Sequence, residues 1–289
     1  MPMPRDLPVI DTMIATPLRD KRKMFEFVTR QTKDIESREK YRFPAEFMYH
    51  DVPDEAGVGD DPVAITVAEM NRYNIVKGLI AVSGDDDERA LQEHPDRFVR
   101  ALRIDPHQGM QALREMERAK ADDNVKAVTV FPAGYLPPVP INDKKLYPIY
   151  AKCCELGLPV FACAGVPGPR VPMASQRVEL IDEVMYDFPE LVFVTRHGCE
   201  PWTELMVKLM VKWPNLYYST SAFSPKYYPR DIVEYANTRG ADRIIYAGYF
   251  PWGLSLQRIM SDMDEVPFRD HVWPKFLHEN AVKVLGISL

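Results

Sequence analysis

The sequence predicts a single-domain (β/α)8 barrel, the TIM-barrel class, and three observations carry that prediction. The chain has 289 residues, and an α/β barrel occupies about 250 residues as one unit. Short runs of β-branched and apolar residues alternate with longer stretches whose apolar residues recur at the helical period. There are eight such runs. Strand–helix alternation implies parallel pairing through right-handed crossovers, and eight units close a barrel, whereas an open doubly wound sheet usually has fewer.

The expected strands are residues 7–12, 75–82, 98–104, 125–131, 158–164, 191–197, 215–220 and 243–248. Helical periodicity marks residues 61–72, 108–121, 143–156 and 176–188, and a further helix is expected near Pro201, because proline suits a first turn. The spacing breaks once, between the first two strands. With residues 61–72 as the crossover helix, residues 13–60 are an insertion after the first strand. It holds a basic stretch (Lys21, Arg22, Lys23, Arg30, Lys33) and then an aromatic run (Tyr41, Phe43, Phe47, Tyr49). Loops that follow barrel strands emerge at the C-terminal mouth, where active sites form. Residues 13–60 are therefore expected to be a lid over the mouth or a subunit interface.

Composition excludes several classes. Apolar residues make up 46% and charged residues 27%, as in ordinary globular proteins. The formal charge of −6 gives no basic footprint for nucleic acid or an anionic membrane. No apolar run reaches the roughly 18 residues of a membrane-spanning helix, and MPMPRDLPVID lacks the apolar core of a secretory signal. Cys153, Cys154, Cys163 and Cys199 form no CxxC pair, so neither a disulfide framework nor a thiolate zinc site is expected. The expected location is the cytoplasm. The expected partners are a small-molecule substrate and further copies of the chain, with no cofactor.

Five stretches carry a more specific signal: residues 141–165, 189–202 (PELVFVTRHGCEPW), 213–222, 243–253 (RIIYAGYFPWG) and the tail 278–287. In this order they resemble the amidohydrolase-related family of metal-dependent hydrolases and decarboxylases, from about residue 7 to 287. The resemblance implies a barrel with a divalent metal held at the strand ends. It also marks where this chain departs. The first strand of the family ends in Asp-x-His-x-His; here Asp11 is followed by Met13 and Ala15 at the ligand positions. The fifth-strand histidine is replaced by Cys163, and the eighth-strand aspartate by Tyr249, while the sixth-strand histidine is kept as His197. A catalytic metal needs about three convergent donors with an open position, so the expectation is a divergent member without the usual metal. Cys163, His197 and Asp11 are the set that could still hold zinc.

The resemblance and the strand ends together name the candidate residues. His197 is a general acid or base with a pKa near operating pH, or a relic held by its neighbours. Tyr249 can donate a proton or stabilise an oxyanion, or merely fill space. Cys163 is a nucleophile if His197 lowers its pKa, and otherwise an inert apolar residue. Asp11 orients His197 or substrate, or accepts backbone N–H groups. Phe131, Tyr135, Glu200, Phe250 and Trp252 are expected to line an aromatic mouth, and Arg170 to clamp a carboxylate or phosphate. The function expected is a metal-independent hydrolase or decarboxylase-like lyase. Its substrate is an apolar or aromatic small molecule bearing a carboxylate or acyl group, cleaved by acid–base catalysis. The competing expectation is a non-catalytic barrel that binds a molecule or supports a catalytic relative. An open pocket with convergent polar groups distinguishes the first from the second.

Overall fold

The computed structural model describes residues 2–122 and 124–289. Eight parallel strands follow one another in chain order around one sheet: β1 (Val9–Asp11), β2 (Ile75–Ala81), β3 (Phe98–Arg103), β4 (Val125–Val130), β5 (Val160–Cys163), β6 (Phe193–Arg196), β7 (Leu216–Ser219) and β8 (Ile244–Ile245). The first and last strands meet at Thr12, whose amide and hydroxyl both donate to the carbonyl of Tyr246 at 3.4 and 2.9 Å. The fold is the expected (β/α)8 barrel. Each strand lies inside its expected run but is shorter. Pro8 and Pro159 precede β1 and β5 and have no N–H to give to a ladder.

The insertion carries two short helices, α1 (Lys21–Met24) and α2 (Glu26–Thr29). The crossover helices are α3 (Pro62–Arg72), α4 (Asp85–Glu93), α5 (Met110–Asp122), α6 (Tyr147–Leu156), α7 (Leu180–Asp187), α8 (Thr203–Lys212), α9 (Arg230–Tyr235) and α10 (Leu256–Asp262), with α11 (Asn280–Leu285) at the end. Helix α3 owes its start to its own first residues. Asp61 accepts from the amides of Val63 and Ala64, and Pro62 stands where a missing N–H costs nothing. Among the described residues, no helix is long and apolar enough to cross a membrane.

Alternation along each strand decides what faces the barrel axis. Ile10, Leu79, Val99, Ala101, Ala127, Phe161, Val194, Tyr217 and Ile245 fill the interior. Ala281, Val284 and Leu285 of α11 join them. Asn280 ties α11 to the start of β8 by donating to the carbonyls of Ala241 and Ile244, both at 2.8 Å. The end at which the strands begin is thus plugged. The alternate residues, such as Ile80, Val128, Phe193 and Leu216, pack outward under the helices. The same parity brings Arg103, Cys163 and Arg196 inward at the other end, each two residues after an interior position.

Residues 13–60 are seated on that open end by a buried cation. The ammonium of Lys21 is fully enclosed and donates to the carbonyl of Pro53 and to that of Trp252 at 3.5 Å. Burial pushes this amine down to about 8, which still leaves it mostly charged at neutral pH.

Candidate active site

A cavity of about 1060 Å³ opens at the mouth. Strand ends supply its floor, and residues 13–60 supply a wall that includes Phe25, Val28, Phe43, Phe47 and Tyr49. Of the residues expected to shape it, His197, Tyr249, Cys163, Phe131, Tyr135, Glu200 and Trp252 all line it.

His197 sits in an unusual backbone. It, Gly198 and Cys199 have successive φ values of 66°, 82° and 58°. A non-glycine residue in this region costs on the order of 1 kcal/mol. The middle position admits glycine alone, because a Cβ there would lie 2.3 Å from the Phe223 ring. Ser221 helps hold the turn: its hydroxyl accepts the His197 amide at 3.1 Å and lies 3.4 Å from Nδ1. Burial, aided by repulsion from the Arg196 cation, pushes the His197 imidazole down to about 3. His197 is therefore neutral at pH 7. The expectation of a pKa near operating pH is corrected: in the free protein it can accept a proton but has none to spare as an imidazolium.

Tyr249 stands over His197, ring edge to face at 5.7 Å between centroids. It stacks on Tyr49 at 5.5 Å and lies against Trp252 at 5.5 Å. Burial pushes its phenol well above the usual range, so it keeps its proton. Cys163 is 6% exposed, and burial pushes its thiol up to about 12, although Arg196 and Arg103 pull the other way. A thiol that holds its proton this firmly is a poor nucleophile.

Three expected residues are not brought to the cavity. Asp11 is fully enclosed, because Ile10 takes the inward position and its neighbour must face away. Its Oδ1 accepts the amides of Met13 and Gly248 at 2.9 and 2.8 Å, so it clasps β1 to the end of β8. Burial raises its carboxyl to about 7, against the pull of those two amides. Arg170 is spent on Asp34 and Glu36, at 2.7 and 3.0 Å, and lies over the Phe47 ring. Phe250 packs into the main core instead of the cavity.

Two residues not foreseen form the floor. Arg196 reaches from β6 across the barrel, donating through Nη2 to the carbonyl of Thr12 and through Nη1 to the hydroxyl of Thr129, both at 3.2 Å. Its guanidinium lies 5.0 Å from the centre of the Phe161 ring. Burial, with repulsion from Arg103 adding to it, pushes Arg196 down to about 10, which leaves it charged at pH 7. Arg103 faces the same cavity. The signal was in the sequence: a charged residue at an inward strand position, in ALRID and VTRHG.

Comparison with known proteins agrees with this architecture. The chain matches the amidohydrolase family over residues 11–287. It belongs to the amidohydrolase family. Among solved structures it is similar to an uncharacterized TIM-barrel protein of Bordetella bronchiseptica, with 22% identity and a TM-score of 0.71, covering 97% of this chain and 99% of that one. It is similar also to the 5-carboxyvanillate decarboxylase of Novosphingobium aromaticivorans, solved with manganese and 4-hydroxy-3-methoxy-5-nitrobenzoic acid. That likeness has 18% identity and a TM-score of 0.68, covering 98% and 97%. The 2,6-dihydroxybenzoate decarboxylase of Rhizobium follows, at 12% identity and a TM-score of 0.66 over 97% and 99%. No curated protein matches the chain.

As an amidohydrolase, the chain is expected to hold a divalent metal, and its donors do not fit one. Among the described residues, no three His, Cys, Asp or Glu side chains come together as a ligand set. Cys163 and His197 supply two donors, Asp11 faces away, and Met13 and Ala15 offer a thioether and nothing. The Arg196 guanidinium occupies the space between β1, β4, β5 and β6. A fixed cation there repels a second one.

Proposed function

We propose that this amidohydrolase is an enzyme that acts without a bound divalent metal on an apolar or aromatic small molecule bearing a carboxylate or acyl group. The observation that carries the reading is an open cavity in which a neutral imidazole and a protonated phenol meet above a cationic floor. A supporting, non-catalytic barrel has no need of that convergence, and a filled mouth would have marked it. The volume lies just above the usual range of about 300–1000 Å³ for small-molecule pockets.

The two groups suit opposite halves of an acid–base reaction. His197 takes a proton from water as the water oxygen bonds to an acyl carbon, and Tyr249 gives its proton to the departing oxygen or nitrogen. The histidine then returns its proton to the tyrosinate. An anion docking beside Arg196 offsets the repulsion that adds to the effect of burial on His197. In a lyase the same phenol protonates the carbon that loses CO2; the neighbouring structures named as decarboxylases support that variant.

The test is a screen of aromatic and acyl carboxylates before and after dialysis against a strong chelator. Activity and melting temperature are expected to be unchanged, with no stoichiometric metal by elemental analysis. Tyr249→Phe and His197→Asn should each lower kcat by about 10²–10⁴ without unfolding the chain. Asparagine is chosen because it tolerates the left-handed backbone. About one zinc or manganese per chain, lost together with activity, would overturn the metal-free reading.

A further inference from the structure

We propose that Arg103 and Arg196 form an anchoring site for the carboxylate of a planar aromatic or unsaturated acid, whose reacting bond lies at another group of the molecule. This rests on the catalytic reading above and narrows it to hydrolysis.

Arg196 is built into the barrel. From β6 it touches β1, β4 and β5, through Thr12, Thr129 and the Phe161 ring, so its guanidinium has one position. A side chain fixed in this way loses no further freedom when a ligand binds. Arg103 is the opposite case. It lines the cavity, and among the described residues its side chain makes no hydrogen bond and no ion pair. The carboxylate that attracts it, Asp87, lies beyond ion-pair distance. Asp87 is already saturated by the amides and hydroxyls of Thr16 and Ser83.

Arg103 is exposed where it lines the cavity, but Arg196 is 4% exposed and its Nε has no partner among the described residues; an enclosed charge with no anion beside it is costly. Nothing on the floor supplies the partner. Cys163 and Tyr249 carry no carboxylate, and Asp11 is walled off behind β1. Asp105, Glu115 and Glu200 line the wider cavity, yet none forms an ion pair with either guanidinium among the described residues. The site is therefore short of an anion. A guanidinium fork matches the two oxygens of a carboxylate, and the rings of Phe131, Tyr249 and Trp252 offer flat walls for the group that carries it.

This placement also decides what the carboxylate does. Two guanidiniums stabilise it as the anion, and expelling CO2 would surrender those contacts. The gripped carboxylate is an anchor, and the bond cut belongs to a second group, an ester, lactone or amide, that meets His197 and Tyr249.

The experiment is a titration of the full chain, followed calorimetrically, with benzoate, 4-hydroxybenzoate, cinnamate and phthalate and with their uncharged amides. At least one acid should bind about tenfold or more tightly than its amide, as expected of charge-assisted pairing. Arg103→Met should erase that difference, and Arg103→Lys should keep part of it, with the melting temperature confirming that both variants fold. Equal binding of acids and amides, no acid binding in the millimolar range, or an acid preference untouched by Arg103→Met would overturn the proposal. The two readings fail separately. Arg103-dependent binding with no turnover of any ester or lactone leaves the anchor standing and sinks the catalysis. Turnover of carboxylate-bearing esters that Arg103→Met leaves unchanged sinks the anchor and keeps the catalysis.

Discussion

Asp11 and His197 make opposite demands on the folded state, and their variants should reveal pH dependences that the parent chain hides. The Asp11 carboxyl is raised from 3.8 to about 7, so the folded protein holds a proton that the unfolded chain releases. Stability from this group is fully present at low pH and is lost as pH rises from about 4 to 7. The slope is about 1.4 kcal/mol per pH unit. Between pH 5 and 7 the loss is about 2 kcal/mol. The His197 imidazole is lowered from 6.5 to about 3, so the unfolded chain takes up a proton that the folded one refuses. Its contribution is complete above 6.5 and falls by about 2 kcal/mol on going down to pH 5. The two slopes nearly cancel over that window. The parent should therefore show almost flat stability from pH 5 to 8 in urea unfolding. Asp11→Asn should gain about 2 kcal/mol on going from pH 5 to 8, and His197→Asn should lose about 2–3 kcal/mol over the same range. The double variant should be flat again. The reasoning is refuted if either single variant keeps the parent's pH profile, whatever its absolute stability.

Two further outcomes are expected. Cys163→Ser should change kcat by less than about threefold, because a thiol that keeps its proton takes no part in the chemistry; a severe loss would reinstate it as the nucleophile. Gly248→Ala should destabilise the seam between β1 and β8, since a Cβ there would lie 2.5 Å from Asp11 Oδ2 and 3.2 Å from the Tyr246 hydroxyl. Overpacking of this kind costs about 1–3 kcal/mol, or about 2–5 °C in Tm for a chain of this size. An unchanged Tm would show that Asp11 is free to move.

The barrel was legible because strand and helix periods differ and because loops must leave from a known end. The reach of that logic was longer than its first use. Ile10 and Asp11 are adjacent, so an interior Ile10 already directs Asp11 away from the axis. Val99, Ala101 and Arg103 share one face of β3, and Val194 and Arg196 share one face of β6. The two arginines were thus readable by parity, but an arginine at a strand end reads first as a surface charge. Arg170 was not readable. Its partners Asp34 and Glu36 lie over 130 residues away in the chain, and only the folded insertion brings them together. The titration of His197 was equally hidden, since its depression comes from enclosure and from a cation whose direction the sequence does not state.

The division of the cavity between strand ends and residues 13–60 separates two kinds of change. A substitution in the arginine floor alters what every ligand must carry, and it disturbs the barrel's interior as well. A substitution at Phe25, Phe43, Phe47 or Tyr49 alters which shapes fit above that floor and leaves the strands untouched. The segment is long, begins and ends on the same face, and is pinned through Lys21. Relatives that keep the floor can therefore diverge in the molecules they accept by rewriting this one stretch, and a library confined to it is the direct way to move the chain toward new acids.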